Sequence, residues 1–412
     1  MSPRRLGLRI LCKNGAPIGG ILRSWPTLPL VVRFDLDASW KSKNLPRNIV
    51  VALRRPDRVC KLDFDVTSSM AESIVEVIQK PYQALESIGI TVKDTTRSSI
   101  PVHNAFLGGS SPHLREIKLD GIAFPFPAIR QVLLSTNNLV ELHLSKIPND
   151  VYFSPDDLVT GLSTLVRLER LTVGFICHAS HAPPSMTRPR QRTILPSLQF
   201  LNFHGAIEYL EEFVAQIDVH SFCKMFVKLF NEIFFEIPQF CQFVPRLNDL
   251  ESPTSRVYVT LSADSVGIVF LPDRSSPANF SLGTTCRRLD WQLSFATQIT
   301  TQLSPLLSSV HELTIVAGSN IGTAAGEEDV DSTQWLELFQ PFTHVTRVTV
   351  WKREVAPGIV QALLTEDPLA VGVLPELTEL HLDGIRRKPI AMKAAEKFVA
   401  SRRLSGRTVH LI

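Results

Sequence analysis

The one close grouping of cysteine and histidine in this sequence is Cys177, His178 and His181. Thiolate and imidazole ligands suit Zn²⁺, but a zinc site also needs a fourth ligand and a defined turn. The following residues 178–193, HASHAPPSMTRPRQRT, are rich in proline and arginine and show no periodicity. We therefore predict a long exposed loop at this point and no metal site.

A second grouping is acidic and lies in the glycine-rich run 320–332, NIGTAAGEEDVDS. Its carboxylates lack the alternating Asp spacing and the distal Glu of a calcium loop, so we predict a solvated surface loop. The sequence also lacks the Gly-x-Gly-x-x-Gly, Gly-x-x-x-x-Gly-Lys-Ser/Thr and Gly-x-Ser-x-Gly motifs. We predict no catalytic residue and no cofactor, and we expect the chain not to be an enzyme.

Charge and hydropathy limit the partners. The 412 residues include 43 Lys and Arg against 40 Asp and Glu, which gives a formal net charge of +3. This balance does not favour nucleic acid or a membrane surface as the partner. The six cysteines form no Cys-x-x-Cys pair, which is typical of buried thiols in an intracellular protein. We expect a cytoplasmic or nuclear location, because charge interrupts the apolar stretch near the N-terminus.

The elements that would position any site follow an internal repeat. Apolar residues recur at the first, fourth and sixth positions of a short unit, and six units begin at intervals of 25 to 30 residues. They are Val59/Leu62/Phe64, Leu85/Ile88/Ile90, Leu114/Ile117/Leu119, Leu139/Leu142/Leu144, Leu168/Leu171/Val173 and Leu198/Leu201/Phe203. The pattern resumes at Cys286/Leu289/Trp291, Val310/Leu313/Ile315, Val345/Val348/Val350 and Leu377/Leu380/Leu382.

This repeat predicts an α/β fold. The fourth and sixth positions alternate like a short strand with one buried face. One unit cannot bury its own apolar face, so neighbouring units must stack. Between the strands, Ser154-Pro155-Asp156-Asp157 has the N-cap, proline and acids that start a helix. We predict an irregular leucine-rich-repeat solenoid, with a curved, mostly parallel sheet inside and helices outside.

The repeat also predicts four segments. Residues 1–50 form an N-terminal cap, 51–205 regular repeats, 206–285 irregular repeats, and 286–412 further repeats with a C-terminal cap. Within the irregular segment, two stretches alternate at period 2, namely Val257/Val259/Leu261 and Val266/Ile268/Phe270. This pattern predicts a β-hairpin inserted into the solenoid.

Residues between the buried positions should face outward on the sheet. The candidate protein-binding residues among them are Lys118, His143, Arg170, Phe200, Asn202, Arg347, Trp351 and His381. Exposed aromatic residues near arginine are typical of interface hot spots. The competing interpretation is that Phe200 and Trp351 are core residues at an edge, since a strand that shifts by one residue exchanges its two faces.

Several segments resemble the fungal F-box and leucine-rich-repeat proteins of mushroom-forming species. They include SPRRLGLRILC (2–12), PDRVCKLDF (56–64), residues 124–175, ILPSLQFLNFHG (194–205), DSTQWLELFQPF (331–342), LPELTELHLDG (374–384) and FVASRRLSGRTVHLI (398–412). In that family an F-box usually precedes the stretch that resembles residues 2–12, and it docks on the Skp-type adaptor of a cullin-RING ubiquitin ligase. The repeats then present the substrate.

The resemblance implies a non-enzymatic module similar to the substrate-recognition part of an F-box subunit. This chain shows no Leu-Pro-x-Glu-like opening, so the resemblance implies the adaptor as a partner only if an F-box is encoded upstream. The alternative is a repeat scaffold with no link to ubiquitin. A third hypothesis, an enzyme within residues 206–285, predicts a deep pocket with clustered perturbed titratable groups.

Overall fold

The computed structural model describes residues 8–11, 22, 28–36, 47–94, 106–122, 125–176, 192–219, 224–230, 236–247, 254–272, 280–318, 331–351, 355–364, 372–383 and 389–412. The chain forms two compact units, Met1–Ser221 and Phe222–Ile412. Each unit contains its own run of neighbouring strands and its own helices.

The main sheet of the first unit is parallel throughout its described strands. In spatial order these are β1 Leu8–Leu11, β2 Leu30–Asp35, β3 Val59–Val66, β4 Ser87–Val92, β5 Glu116–Asp120, β6 Glu141–Ile147, β7 Arg170–Phe175 and β9 Phe200–Gly205. Two short strands, β8 Thr193–Leu195 and β10 Ile217–Val219, pair separately in parallel. Successive repeats therefore lie side by side.

The helices of the first unit lie between these strands in the chain. They are α1 Arg47–Leu53, α2 Ser68–Val77, α3 Phe126–Ser135, α4 Pro155–Leu162 and α5 Ile207–Gln216. Helix α4 begins as its sequence predicts: the Ser154 hydroxyl accepts a hydrogen bond from the Asp157 backbone N–H at 3.1 Å, and the Asp157 side chain accepts one from the Ser154 backbone. This reciprocal cap satisfies two backbone donors that a helix start leaves open.

The second unit has a mixed sheet. Its described strands are β11 Lys224–Leu229, β12 Arg256–Leu261, β13 Ser265–Leu271, β14 Phe280–Thr285, β15 Glu312–Ala317, β16 Arg347–Trp351, β17 Glu379–Leu382 and β18 His410–Leu411, in the spatial order β11-β14-β13-β12-β15-β16-β17-β18. Strand β13 is antiparallel to both β12 and β14, and the other neighbours are parallel. Its helices are α6 Pro238–Leu247, α7 Leu289–Gln302, α8 Ser304–Leu307, α9 Ser332–Phe339, α10 Ala356–Leu364 and α11 Pro389–Leu404.

One face of each sheet forms the core. Along β5, β6, β7 and β9 the buried positions Ile117, Leu142, Leu171 and Leu201 stand in register, and each is fully buried. The helices bury their own apolar residues in the same unit, such as Leu158 of α4. Since successive strand residues point to opposite faces, the residues between these positions face outward.

The predicted α/β class with a mostly parallel sheet is confirmed. The antiparallel pair β12 and β13 forms at the predicted hairpin. The curved leucine-rich-repeat solenoid and the segment boundaries at 50, 205 and 285 stay predictions.

The strand predicted at Cys286/Leu289/Trp291 is wrong. The strand there is β14, which ends at Thr285, and helix α7 begins at Leu289. Leu293, Ala296 and Thr300, all buried, recur at helical spacing. Trp291 consequently lies on the helix surface, 40% exposed, instead of in the core.

Candidate protein-binding faces

Five of the eight predicted residues lie together in the first unit. In one row across the sheet, Lys118 of β5 stands beside His143 of β6, which is followed by Thr172 of β7 and Asn202 of β9. Neighbouring strands are about 4.8 Å apart, so this row spans about 14 Å. All four side chains are at least partly exposed. The register thus brings three predicted residues, Lys118, His143 and Asn202, from three separate repeats into one row.

The parallel row beside it contains Arg170 and Phe200. The Arg170 guanidinium carbon lies 4.5 Å from the centroid of the Phe200 ring, within cation–π range. Its Nε lies 3.5 Å from a Glu141 carboxylate oxygen on the neighbouring strand. Phe200 is only partly buried, so it is an outward aromatic residue and not an edge residue of the core.

His143 has the most perturbed environment of the first group. Its Nε2 lies 2.8 Å from the Ser145 hydroxyl. Partial burial, aided by the positive charge of Lys118, lowers the pKa of His143 below its ordinary value. The nearby carboxylates of Asp120 and Glu141 oppose this shift. His143 therefore has a hydrogen-bond partner and charged neighbours of both signs on the outward face.

The other three predicted residues lie in the second unit. Arg347 bonds Glu379 through Nε at 2.6 Å and lies 3.7 Å from Glu312. His381 Nε2 lies 3.4 Å from the same Glu379 carboxylate. These hydrogen bonds, that of Arg347 above all, lower the pKa of Glu379, and Glu379 in turn raises that of Arg347. This part of the outward face is thus largely charge-compensated.

Trp351 ends strand β16 and is 53% exposed. Its register neighbour on β15 is Val316, so an apolar spot lies beside the compensated row. The exposure excludes a core position for Trp351.

The eight residues form two separate groups, five in the first unit and three in the second.

A cavity that the sequence pattern does not indicate lies beside the start of α7. It has a volume of about 420 Å³ and is lined by Asp264, Thr285, Cys286, Arg287, Arg288 and Trp291. Arg288 bonds Asp290 at 3.1 and 2.7 Å and lies 5.3 Å from the Trp291 ring centroid. The sequence feature that could have indicated this cavity is the helical spacing of the apolar residues after Trp291. That spacing predicts a helix with the Trp291 indole on its surface, where it lines the cavity.

Burial raises the pKa of the Cys286 thiol, so the reactive thiolate is disfavoured. The Arg288 hydrogen bonds lower the pKa of Asp290 and keep it ionised. The Cys286 thiol thus lacks the lowered pKa that is typical of a nucleophilic cysteine.

The predicted loop groupings lie largely outside the described residues. The residues outside the described ranges include Cys177, His178 and His181 of the first grouping and Glu327, Glu328 and Asp329 of the second. Asp331 is described, and its carboxylate caps α9 by accepting from the Thr333 backbone N–H at 3.1 Å. Within the described ranges, no three His, Cys, Asp or Glu side chains come close enough to hold a metal ion.

The helices of the described segments are all too short or too polar to cross a membrane. A scan of protein-family models and a search of curated proteins find no match to this chain.

Proposed function

We propose that the chain is a non-enzymatic protein-interaction module of the leucine-rich-repeat type. A partner would lie across the outward face of the first unit, where Lys118, His143, Arg170, Phe200 and Asn202 come together. The proposed module resembles the substrate-recognition part of an F-box subunit.

The observation that supports this proposal most directly is the in-register pairing of strands from successive repeats. From β4 to β9 each parallel strand aligns its buried residues with those of its neighbour, so the outward residues also align. Repeat proteins use such extended faces to bind other proteins. The Arg170–Phe200 contact supplies the aromatic and arginine side chains that dominate interface energies.

The test is capture of partners by proximity labelling with the full chain, comparing wild type with Arg170→Ala/Phe200→Ala. Both residues are partly exposed, so the fold should survive, as a thermal melt would verify. The matched control is Lys397→Ala, at an exposed position of α11. We expect the double variant to lose a defined set of partners that the control retains. An unchanged partner set in the folded double variant would overturn the proposal.

The link to ubiquitin ligases has its own test. If an F-box precedes the repeats, a Skp-type adaptor should co-purify with the protein expressed from its own locus. Retention of the partner set without the adaptor would favour the alternative, a repeat scaffold with no ubiquitin link.

A further inference from the structure

The cavity beside the start of α7 has walls from three elements of the second unit. Asp264 belongs to the turn between β12 and β13, Thr285 ends β14, and Trp291 lies in the first turn of α7. The volume of about 420 Å³ lies near the lower end of the range for small-molecule sites, which is roughly 300–1,000 Å³. The cavity therefore has the size for a small organic ligand.

Hydrogen bonds join the walls of this cavity. The Gln292 side chain is buried, and its Nε2 donates to the carbonyl oxygens of Ser262 and Cys286 at 2.7 Å each. The Cys286 backbone N–H donates to the Asp264 carbonyl oxygen at 2.9 Å. One amide thus holds the hairpin turn and the start of α7 together, so the cavity is formed before a ligand enters. A preformed site loses less conformational entropy on binding.

The charged side chains around the cavity comprise one ion pair and two unpaired groups. Arg288 donates to both carboxylate oxygens of Asp290, at 3.1 and 2.7 Å, so these two charges compensate each other. Arg287 and Asp264 both line the cavity and are exposed, and within the described ranges neither is in an ion pair. The cavity thus presents one cation and one anion that do not contact each other.

The hydrogen bonds of Asp264 leave one of its oxygens open. Oδ1 accepts from the hydroxyls of Ser262 and Ser265 at 3.3 and 3.4 Å. Oδ2 has no hydrogen-bond partner in the described part of the chain, so it can accept from a ligand. An ammonium group would give it a charge-assisted hydrogen bond, as a carboxylate would give the Arg287 guanidinium.

Trp291 supplies an apolar wall. Its side chain is 40% exposed, and the Arg288 guanidinium lies 5.3 Å from its ring centroid. Because Asp290 fixes Arg288, this contact also holds the indole in place. The neighbouring Cys286 is buried, and the raised pKa of its thiol keeps it uncharged. An apolar side chain of a ligand can therefore pack against the indole.

We propose that this cavity binds a free α-amino acid with an apolar side chain. The ammonium of the ligand bonds Asp264, its carboxylate bonds Arg287, and its side chain lies against Trp291. Asp264 repels a purely anionic ligand and Arg287 repels a purely cationic one, so a ligand with both charges is favoured. We expect a dissociation constant on the order of 1 mM, because water and salt weaken exposed ion pairs. Binding of a small molecule goes beyond the proposed interaction function and does not require it.

The probe for this site is L-phenylalanine, titrated into the purified full chain and followed by saturation-transfer NMR. Two fragments of similar size are the comparison ligands: 3-phenylpropionate lacks the ammonium, and 2-phenylethylamine lacks the carboxylate. We expect phenylalanine to bind at least about fivefold more tightly than either fragment. Each fragment leaves one charge of the cavity without a partner and brings its own charge near one of like sign.

Substitutions in the cavity should distinguish the two charges. Asp264→Asn should weaken the binding of phenylalanine by about fivefold without weakening that of 3-phenylpropionate. Arg287→Gln should weaken the binding of phenylalanine by about fivefold without weakening that of 2-phenylethylamine. Both positions are exposed, so the variants should stay folded, as a thermal melt would verify. Glu396→Gln and Lys397→Gln, at exposed positions of α11, are the matched controls and should bind phenylalanine like wild type.

Three results would overturn the proposal. The first is no saturation transfer to phenylalanine at about 10 mM. The second is equal binding of phenylalanine and the two fragments, because the charges would then not be recognised. The third is unchanged phenylalanine binding in either cavity variant, because the ligand would then not contact the substituted residue. None of these results alters the partner set of the Arg170→Ala/Phe200→Ala variant, so the proposed function is tested separately.

Discussion

The Arg347 guanidinium reaches from β16 to Glu379 on β17, with Nε 2.6 Å from Oε2 of the carboxylate. The same arginine lies 3.7 Å from Glu312 on β15. One cation therefore joins three neighbouring strands on the outward face of the second unit. This contact favours the ionised form of Glu379, and it makes the stability of that unit depend on pH.

The first prediction concerns this pH dependence. The folded-state pKa of Glu379 is depressed below its ordinary 4.5, mainly by the hydrogen bond from Arg347. The carboxylate therefore adds stability above about pH 4.5, and this stability is lost as the pH falls through the lower folded-state pKa. We expect urea unfolding to show a steeper loss of stability for wild type than for Glu379→Gln between about pH 5 and pH 3.

The control for this experiment is Glu337→Gln, an exposed position on α9. It should keep the wild-type slope, because its side chain is not part of the Arg347 contact. Identical slopes for wild type and Glu379→Gln would contradict the prediction.

The second prediction concerns His143 and Lys118, which stand in register on β6 and β5. Burial and the lysine charge both lower the pKa of His143, so replacing Lys118 by Gln should raise it toward its ordinary value. Because the folded state resists protonation here, His143 should reduce stability as the pH falls below about 6.5.

This shift is measurable by NMR titration of ¹³C-labelled histidine. Lys80→Gln, an exposed position after α2, is the matched control and should leave the His143 titration unchanged. A His143 pKa that does not respond to Lys118→Gln would reject the assigned cause.

The sequence was sufficient to predict the regular part of the fold. Along β5, β6, β7 and β9, alternation alone identified Leu142, Leu171 and Leu201 as buried and His143 as outward. Alternation of apolar and polar residues predicts the buried face correctly here because each strand has only one buried face. The repeats are also of nearly constant length, so each strand is easy to locate in the sequence.

The sequence could not predict the region around Trp291 in the same way. Apolar residues at the first, fourth and sixth positions fit a strand entered by a turn, and over six residues they also fit part of a helix. Pairing is a further limit: nothing local in β11 or β14 indicates that they become neighbours across β12 and β13.

The third prediction tests the start of α4. Ser154 accepts from the Asp157 backbone N–H and donates to the Asp157 carboxylate at 2.7 Å. Ser154→Ala removes both bonds and should cost about 1 kcal/mol in the free energy of unfolding. Ser163→Ala, which removes only an exposed bond to the Thr160 carbonyl, should change it by less than about 0.5 kcal/mol. Equal effects in chemical denaturation would contradict the capping role.

The fourth prediction concerns two glycines at neighbouring strand ends. A Cβ on Gly205 would lie 2.8 Å from Phe203 Cζ and 3.0 Å from Phe175 Cδ2, and both rings are buried. The Phe175 ring also lies 4.9 Å from the Tyr209 ring, so it has little room to move. Gly205→Ala should therefore cost about 1–3 kcal/mol in the free energy of unfolding.

Gly174 is the matched control because a Cβ there meets no atom closer than 3.5 Å, an ordinary contact. Gly174→Ala should change the free energy of unfolding by less than about 0.5 kcal/mol. Thermal or urea unfolding that ranks the two substitutions in the opposite order would show that the Phe175 and Phe203 rings can move aside.

The last prediction tests the two faces of the first sheet with adjacent residues. Leu142 and His143 follow each other on β6, between the same neighbours β5 and β7. Leu142 is fully buried and His143 is partly exposed on the other face. Leu142→Ala should cost about 2–5 kcal/mol, since it removes buried methyl groups and leaves a cavity.

His143→Ala should cost less than about 1 kcal/mol, because its removed contact is a part-exposed bond to Ser145. Its effect should instead appear in partner binding, where the imidazole is available on the outward face. A large loss of stability from His143→Ala together with a small one from Leu142→Ala would mean that β6 is shifted by one residue. Such a shift would exchange the two faces of β6 and place His143 in the core.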